Sequence, residues 1–193
     1  SSGKSSAFGV DGYRILWSPD DTRMMYTTTF GLYVINADGS GLRQINTGPA
    51  QVISPTGWID NQTIVYAVMG GDGFTFTSYN LQSGETKSLF TIQNKAGYGA
   101  VSPDGQWIVF ADREFGATNW GIFISRLDGS ERKLVVEPEV PTAFMSVWGP
   151  DGQWLIVNTR DMNDKNIPVL VNPFTCEAFS LNQVNGMAEG WSR

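Results

Sequence analysis

The chain contains no histidine. That absence excludes a Ser-His-Asp or Cys-His catalytic unit built within this chain, and any histidine-ligated zinc site. Its single cysteine, Cys176, forbids an internal disulfide and a multi-cysteine metal cluster. Charged residues make up only 17% of the 193 positions, and 13 basic against 19 acidic groups leave a formal charge of −6. An acidic chain without a Lys/Arg run argues against nucleic acid as the main partner. No apolar stretch approaches the ~20 residues that a membrane-spanning helix needs. No signal peptide is visible at the start, and no helical period runs through the chain. Ser1 to Ser6 is a polar run of the disordered kind, and residues 1–12 are read as a flexible lead-in.

What the chain does have is a repeat. Leu16-Trp17-Ser18-Pro19-Asp20-Asp21 opens one unit. Ala100-Val101-Ser102-Pro103-Asp104-Gly105-Gln106-Trp107 and Val147-Trp148-Gly149-Pro150-Asp151-Gly152-Gln153-Trp154 open two more. Gly57-Trp58-Ile59-Asp60-Asn61-Gln62 is a copy without the proline, and Gly190-Trp191-Ser192 resembles the start of another. The anchor positions 17, 58, 101, 148 and 191 lie 41, 43, 47 and 43 residues apart. A period in the forties is that of a four-stranded propeller blade.

Each unit reads as four short strands, with turn signals about every ten residues, which is all-β patterning. Proline presets φ for the first central turn position, aspartate bonds the amides just ahead of it, and glycine supplies a positive φ. Asp21 replaces that glycine in the first unit and tolerates the same conformation. In the second unit Asp60-Asn61 is expected to make a tighter, two-residue hairpin. The predicted architecture is an all-β propeller segment over residues 13–193. Its blades fall at about 13–48, 49–93, 94–140 and 141–185, and residues 186–193 begin a fifth. An anchor at Trp191 implies an arc of a larger propeller.

These residues are similar to the repeats of TolB-like propellers, also called WD40-like beta-propeller repeats. Ser-Pro-Asp-Gly-Gln-Trp followed by an apolar strand, then Ile122-Phe123-Ile124 and Leu127-Asp128-Gly129-Ser130, carries the resemblance, and the unit from Tyr98 to Val135 matches best. The resemblance implies a non-enzymatic scaffold for protein–protein or protein–peptide interaction. It also implies, with the low charge and neutral polar surface, a place outside the cytoplasm, in a periplasm or at a cell surface. Two alternatives stay open: the non-catalytic propeller portion of a prolyl-oligopeptidase-like serine peptidase, or a structural subunit of a larger extracytoplasmic assembly, joined through open blade edges. No cofactor is called for.

The candidate residues divide into structural and functional readings. Asp20, Asp104 and Asp151 belong to separate turns, and each is expected to be satisfied by its own turn rather than to join a catalytic set. Trp17, Trp58, Trp148 and Trp191, with Trp107 and Trp154, recur in register and are expected to pack blade on blade. Gly70-Gly71-Asp72-Gly73 leads into a strand, so it is a tight turn rather than a phosphate loop. The loop from Asp161 to Asn166 has calcium-like oxygen spacing, but Lys165 interrupts it. Asn61-Gln62-Thr63 is a glycosylation sequon on a hairpin tip. No basic cluster adjoins Cys176 to activate it. The residues left for recognition lie in the longest loops between second and third strands: Arg113, Phe115, Trp120, Arg160 and Asp161. Exposed aromatics with arginine are the usual material of interface anchors. Self-packing of Phe115 and Trp120 onto their own blade is the competing reading.

Overall fold

The structure, a computed structural model, describes residues 14–28, 31–45, 51–71, 73–93, 99–113, 120–137, 146–160 and 165–181, without the side chains of 51–53, 160 and 166. Four antiparallel four-stranded sheets follow one another along the chain. Blade 1 holds β1 (Ile15–Trp17), β2 (Arg23–Thr28), β3 (Gly31–Asn36) and β4 (Arg43–Ile45). Blade 2 holds β5 (Gln51–Trp58), β6 (Thr63–Gly70), β7 (Gly73–Asn80) and β8 (Thr86–Ile92). Blade 3 holds β9 (Gly99–Val101), β10 (Trp107–Asp112), β11 (Gly121–Arg126) and β12 (Lys133–Val136). Blade 4 holds β13 (Ser146–Trp148), β14 (Leu155–Arg160), β15 (Asn166–Val171) and β16 (Ala178–Ser180). No helix occurs among the described residues, and the arrangement is that of a propeller. The expected lead-in, residues 1–12, and the expected start of a fifth blade at 186–193 lie outside the described residues.

The turns form as their chemistry dictates. In blade 1 the Ser18 amide donates to the Arg23 carbonyl, closing a four-residue loop, and Asp21 sits at φ 56°. Gly105 and Gly152 take φ 68° at the equivalent place. Asp20 accepts from the Ser18 hydroxyl at 2.7 Å, the Thr22 amide at 3.1 Å and the Thr22 hydroxyl at 2.8 Å. Asp104 accepts from the Ser102 hydroxyl and the Gln106 amide, and Asp151 from the Gln153 amide. These aspartates are turn residues. Blade 2 departs from the expected two-residue hairpin. The Ile59 amide donates to the Thr63 carbonyl, so the loop is Asp60, Asn61 and Gln62. Asp60 Oδ1 accepts from both the Gln62 and Thr63 amides at 2.7 Å, and that pair of hydrogen bonds needs the third residue.

Alternation along each strand gives every blade two apolar faces, and adjacent blades bury them against each other. Met25, Leu32 and Val34 of blade 1 pack on Trp58, Ile64 and Tyr66 of blade 2. Val65, Phe74 and Phe76 of blade 2 meet Ile108, Phe110 and Phe123 of blade 3. Val109, Ile122 and Ile124 of blade 3 meet Trp148, Leu155 and Val157 of blade 4.

The tryptophans show the same logic. Trp58 and Trp148 are buried, and each donates its indole N–H to an innermost-strand carbonyl of the preceding blade: Leu16 at 3.1 Å and Ala100 at 3.0 Å. Trp107 lies edge-on to Phe174 of blade 4, with the Arg126 guanidinium 3.9 Å above its ring. Trp17 departs from the packing expectation and is 51% exposed. Blade 1 turns that face away from blade 2, and no earlier blade stands against it among the described residues. Trp154 pairs with Phe179 of its own blade.

Candidate functional site

The innermost strands β1, β5, β9 and β13 run beside one axis, and their C-terminal ends lead into the turns. Between those ends lies a cavity of about 440 Å³. Trp17, Trp58, Val101 and Trp148 contribute to its walls, and Pro19, Pro103 and Pro150 come from the surrounding turns. All four blades therefore contribute to one concave space of mixed polar and apolar lining, a form that suits binding.

Arg14 lines the same cavity. It precedes β1 by one residue and crosses to other blades. Its Nη1 donates to the Gly99 carbonyl at 2.8 Å and, over a longer 3.5 Å, to the Pro55 carbonyl. Burial pushes its guanidinium pKa below the ordinary value by desolvation. Thr56 also lines the cavity. Its side chain is buried, and Oγ1 has no hydrogen-bond partner. Sequence reasoning passed over both residues. The available signal was Arg14 itself, a cation three positions before its anchor, where the other units carry Pro55, Tyr98 and Met145.

Of the expected recognition residues, Arg113 and Trp120 lie at the opposite ends of the strands, after β10 and before β11. The Arg113 guanidinium stands 5.9 Å from the Trp120 ring, within cation–π range. Arg113 is exposed and Trp120 half-buried, so the structure brings these two together. Phe115 and Asp161 lie outside the described residues; Arg160 ends β14, and its side chain is likewise outside them. Most of the calcium-like loop, 161–164, is outside as well, while Lys165 is exposed. Among the described residues, no cluster of three or more metal-ligating side chains occurs. Cys176 is exposed, at φ 64° in the last turn of blade 4. The sequon lies on the exposed blade 2 turn, where Arg23 donates to the Asn61 carbonyl.

Solved structures place this architecture among known propellers. TolB from Acinetobacter baumannii superposes with a TM-score of 0.71 at 17% identity, over 91% of this chain and 44% of that one. A chain of the nidogen/laminin complex gives 0.67 at 15% identity, over 86% and 63%. A prolyl endopeptidase gives 0.62 at 17% identity, over 93% and 30%. The chain thus spans less than two thirds of each. At these identities the likeness establishes the fold, and the TolB-like propeller expected from the repeats is the fold observed. No curated protein matches the sequence. Residues 14–165 match the sequence profile described as eukaryotic translation initiation factor eIF2A, and the chain belongs to that family.

Proposed function

We propose that the protein is a non-enzymatic scaffold that binds a protein or peptide. One observation carries this reading: four blades converge on a single cavity at the turn end, with Trp17 half-exposed on its wall. Exposed tryptophan and arginine dominate interface energetics. The Arg113–Trp120 pair at the loop end supplies a second contact, joined in this reading by Phe115, Arg160 and Asp161. A photo-crosslinking amino acid placed at Trp17, at Trp120 and at the exposed control Glu85 tests it in source cells. Discrete adducts at Trp17 or Trp120, absent at Glu85, are expected. Background levels at all three positions would remove the scaffold reading.

In this reading the protein works outside the cytoplasm, supported by the TolB-like fold and the sparse charge. The family name favours a second reading, in which the chain acts beside the translation machinery. With 19 acidic against 13 basic residues, its contact there would be to protein rather than to RNA. Cell fractionation separates the two: recovery with ribosomes supports the second, recovery in an envelope fraction the first. The prolyl endopeptidase likeness favours a third, a propeller part of a peptidase. Without histidine the chain completes no Ser-His-Asp triad. Purified protein is therefore expected to leave chromogenic peptide substrates uncut, and turnover above a heat-denatured control would contradict the non-enzymatic reading.

A further inference from the structure

Arg132, Arg43 and Arg14 each reach a buried or part-buried group, and they are compensated differently. Arg132 pairs with the buried Asp112 carboxylate at 2.8 Å. Arg43 uses two nitrogens, on the Leu81 carbonyl at 2.6 Å and the Tyr79 hydroxyl at 2.7 Å, and lies over the Tyr79 ring. Arg14 uses Nη1 alone, toward two carbonyls, one of them at 3.5 Å. Among the described residues no carboxylate pairs with it. A guanidinium stays charged under all ordinary conditions. Enclosing it without a counter-charge is costly, and an anion that reaches it removes that cost.

The free part of Arg14 has a definite shape. With Nη1 engaged, Nε and Nη2 remain, and their N–H groups run parallel along one edge. That edge matches the two oxygens of a carboxylate in a bidentate pair. Thr56 provides an independent sign of a missing ligand. It is 1% exposed, its hydroxyl is unpaired, and it lines the same cavity. Buried polar groups are nearly always bonded, so an orphan hydroxyl beside a cavity marks a place for a polar atom.

The remaining walls define the rest of the ligand. Leu16, Trp17, Val101 and Trp148 present apolar surface. A volume of about 440 Å³ suits a body of amino-acid to short-peptide size. Asp21 stands among the turn residues that line the cavity and disfavours a second negative charge there. The combination selects a monoanion with an apolar group rather than a phosphate.

We propose that the axial cavity binds a carboxylate carried on an apolar body, with the Nε–Nη2 edge of Arg14 as anchor and the Thr56 hydroxyl as the second polar contact. This rests on the scaffold reading and deepens it, because the C-terminus of a partner ending in an apolar residue has this chemistry. A free aromatic carboxylic acid has it too.

Isothermal titration calorimetry on the 193-residue chain tests the assignment with three probes: acetyl-Ala-Ala-Phe as the free acid, the same peptide as its C-terminal amide, and N-acetylphenylalanine. The acid peptide is expected to bind at least tenfold more tightly than the amide. Arg14→Gln abolishes that difference. Thr56→Val weakens the acid several-fold and leaves the amide unchanged. This second variant removes only an unpaired hydroxyl, so it remains informative if Arg14→Gln fails to fold. Equal binding of N-acetylphenylalanine and the acid peptide supports the site with a small molecule as the source. Binding of the acid peptide alone supports it with a C-terminus. Equal affinity for acid and amide, no heat from either acid at millimolar concentration, or full acid affinity in Thr56→Val overturns the proposal. The scaffold reading would survive that result if the Trp17 or Trp120 adducts persist.

Discussion

The indole N–H of Trp148 donates to the carbonyl of Ala100, 48 positions earlier, at 3.0 Å. Trp58 does the same to Leu16, 42 positions earlier. In each case the acceptor sits on the innermost strand of the preceding blade, one residue before its anchor position. The bond ties blade to blade at the axis, where the sheets converge, and the ring behind it fills the gap between them.

Removing that ring should therefore be expensive. Trp148→Ala is expected to cost about 3–5 kcal/mol, the range for truncating a buried aromatic. Trp148→Phe keeps most of the packing but orphans a carbonyl, at about 1–3 kcal/mol. Trp17→Ala, at a half-exposed site, should cost under about 1 kcal/mol from lost area alone. Urea denaturation of the three variants gives the order, and equal midpoints for Trp148→Ala and wild type would refute the packing role.

The glycine-rich hairpin of blade 2 separates two kinds of glycine. Gly73 has φ 135°, and a Cβ there would lie 2.0 Å from the Ile92 carbonyl oxygen. Gly71 has open space around it. Gly73→Ala is expected to lose about 1–3 kcal/mol through backbone strain, whereas Gly71→Ala stays within about 0.5 kcal/mol. Paired thermal melts check this, and a tolerated alanine at 73 would contradict it.

Three turn aspartates have carboxyl groups held below the usual range. For Asp20 the main cause is the Ser18 hydroxyl bond, for Asp38 the Ser40 hydroxyl, and for Asp128 the Ser130 hydroxyl. A depressed folded pKa means the ionised form is favoured by folding. The contribution is present above the unfolded value of about 3.9 and is lost as pH falls through the folded one. Carboxyl-carbon NMR titration should find all three below about 3.9, and Ser130→Ala should move Asp128 upward. An unmoved Asp128 in that variant would discard the hydroxyl as the cause.

Blade 3 carries an ion pair with one buried partner. Asp112 has a side chain only 4% exposed and accepts from Arg132, whose guanidinium also lies 4.2 Å from the Phe123 ring centroid. Arg132→Met leaves the carboxylate short of a donor and is expected to cost about 1–3 kcal/mol. The double variant Arg132→Met with Asp112→Leu should recover part of that loss, since an apolar pair satisfies the same space. A double variant less stable than the single one would reject the account.

The turns were readable in advance because their physics is local. Pro-Asp followed by Gly or Asp sets dihedral angles and supplies its own acceptors within five residues, so Asp20, Asp104 and Asp151 sit as their neighbours require. The blade 2 turn was misjudged by one residue. Asp60 caps two successive amides, and without the proline nothing in the string reveals which loop length that favours. Loop length and residue type singled out Arg113 and Trp120, while their cation–π contact is a product of the fold. Arg14 and Thr56 were not, since neither belongs to a motif and both matter only through groups brought from other blades.

Strand order, all-β class and the forty-residue period follow from the sequence by itself, because alternation and turn chemistry act between near neighbours. Which tryptophan is buried, where the cavity opens and what lines it were decided only in the assembled fold. Trp17 and Trp148 occupy the same position in their repeats, yet one is half-exposed and the other buried. The difference lies in whether another blade stands beside them, and that contact couples residues more than forty positions apart.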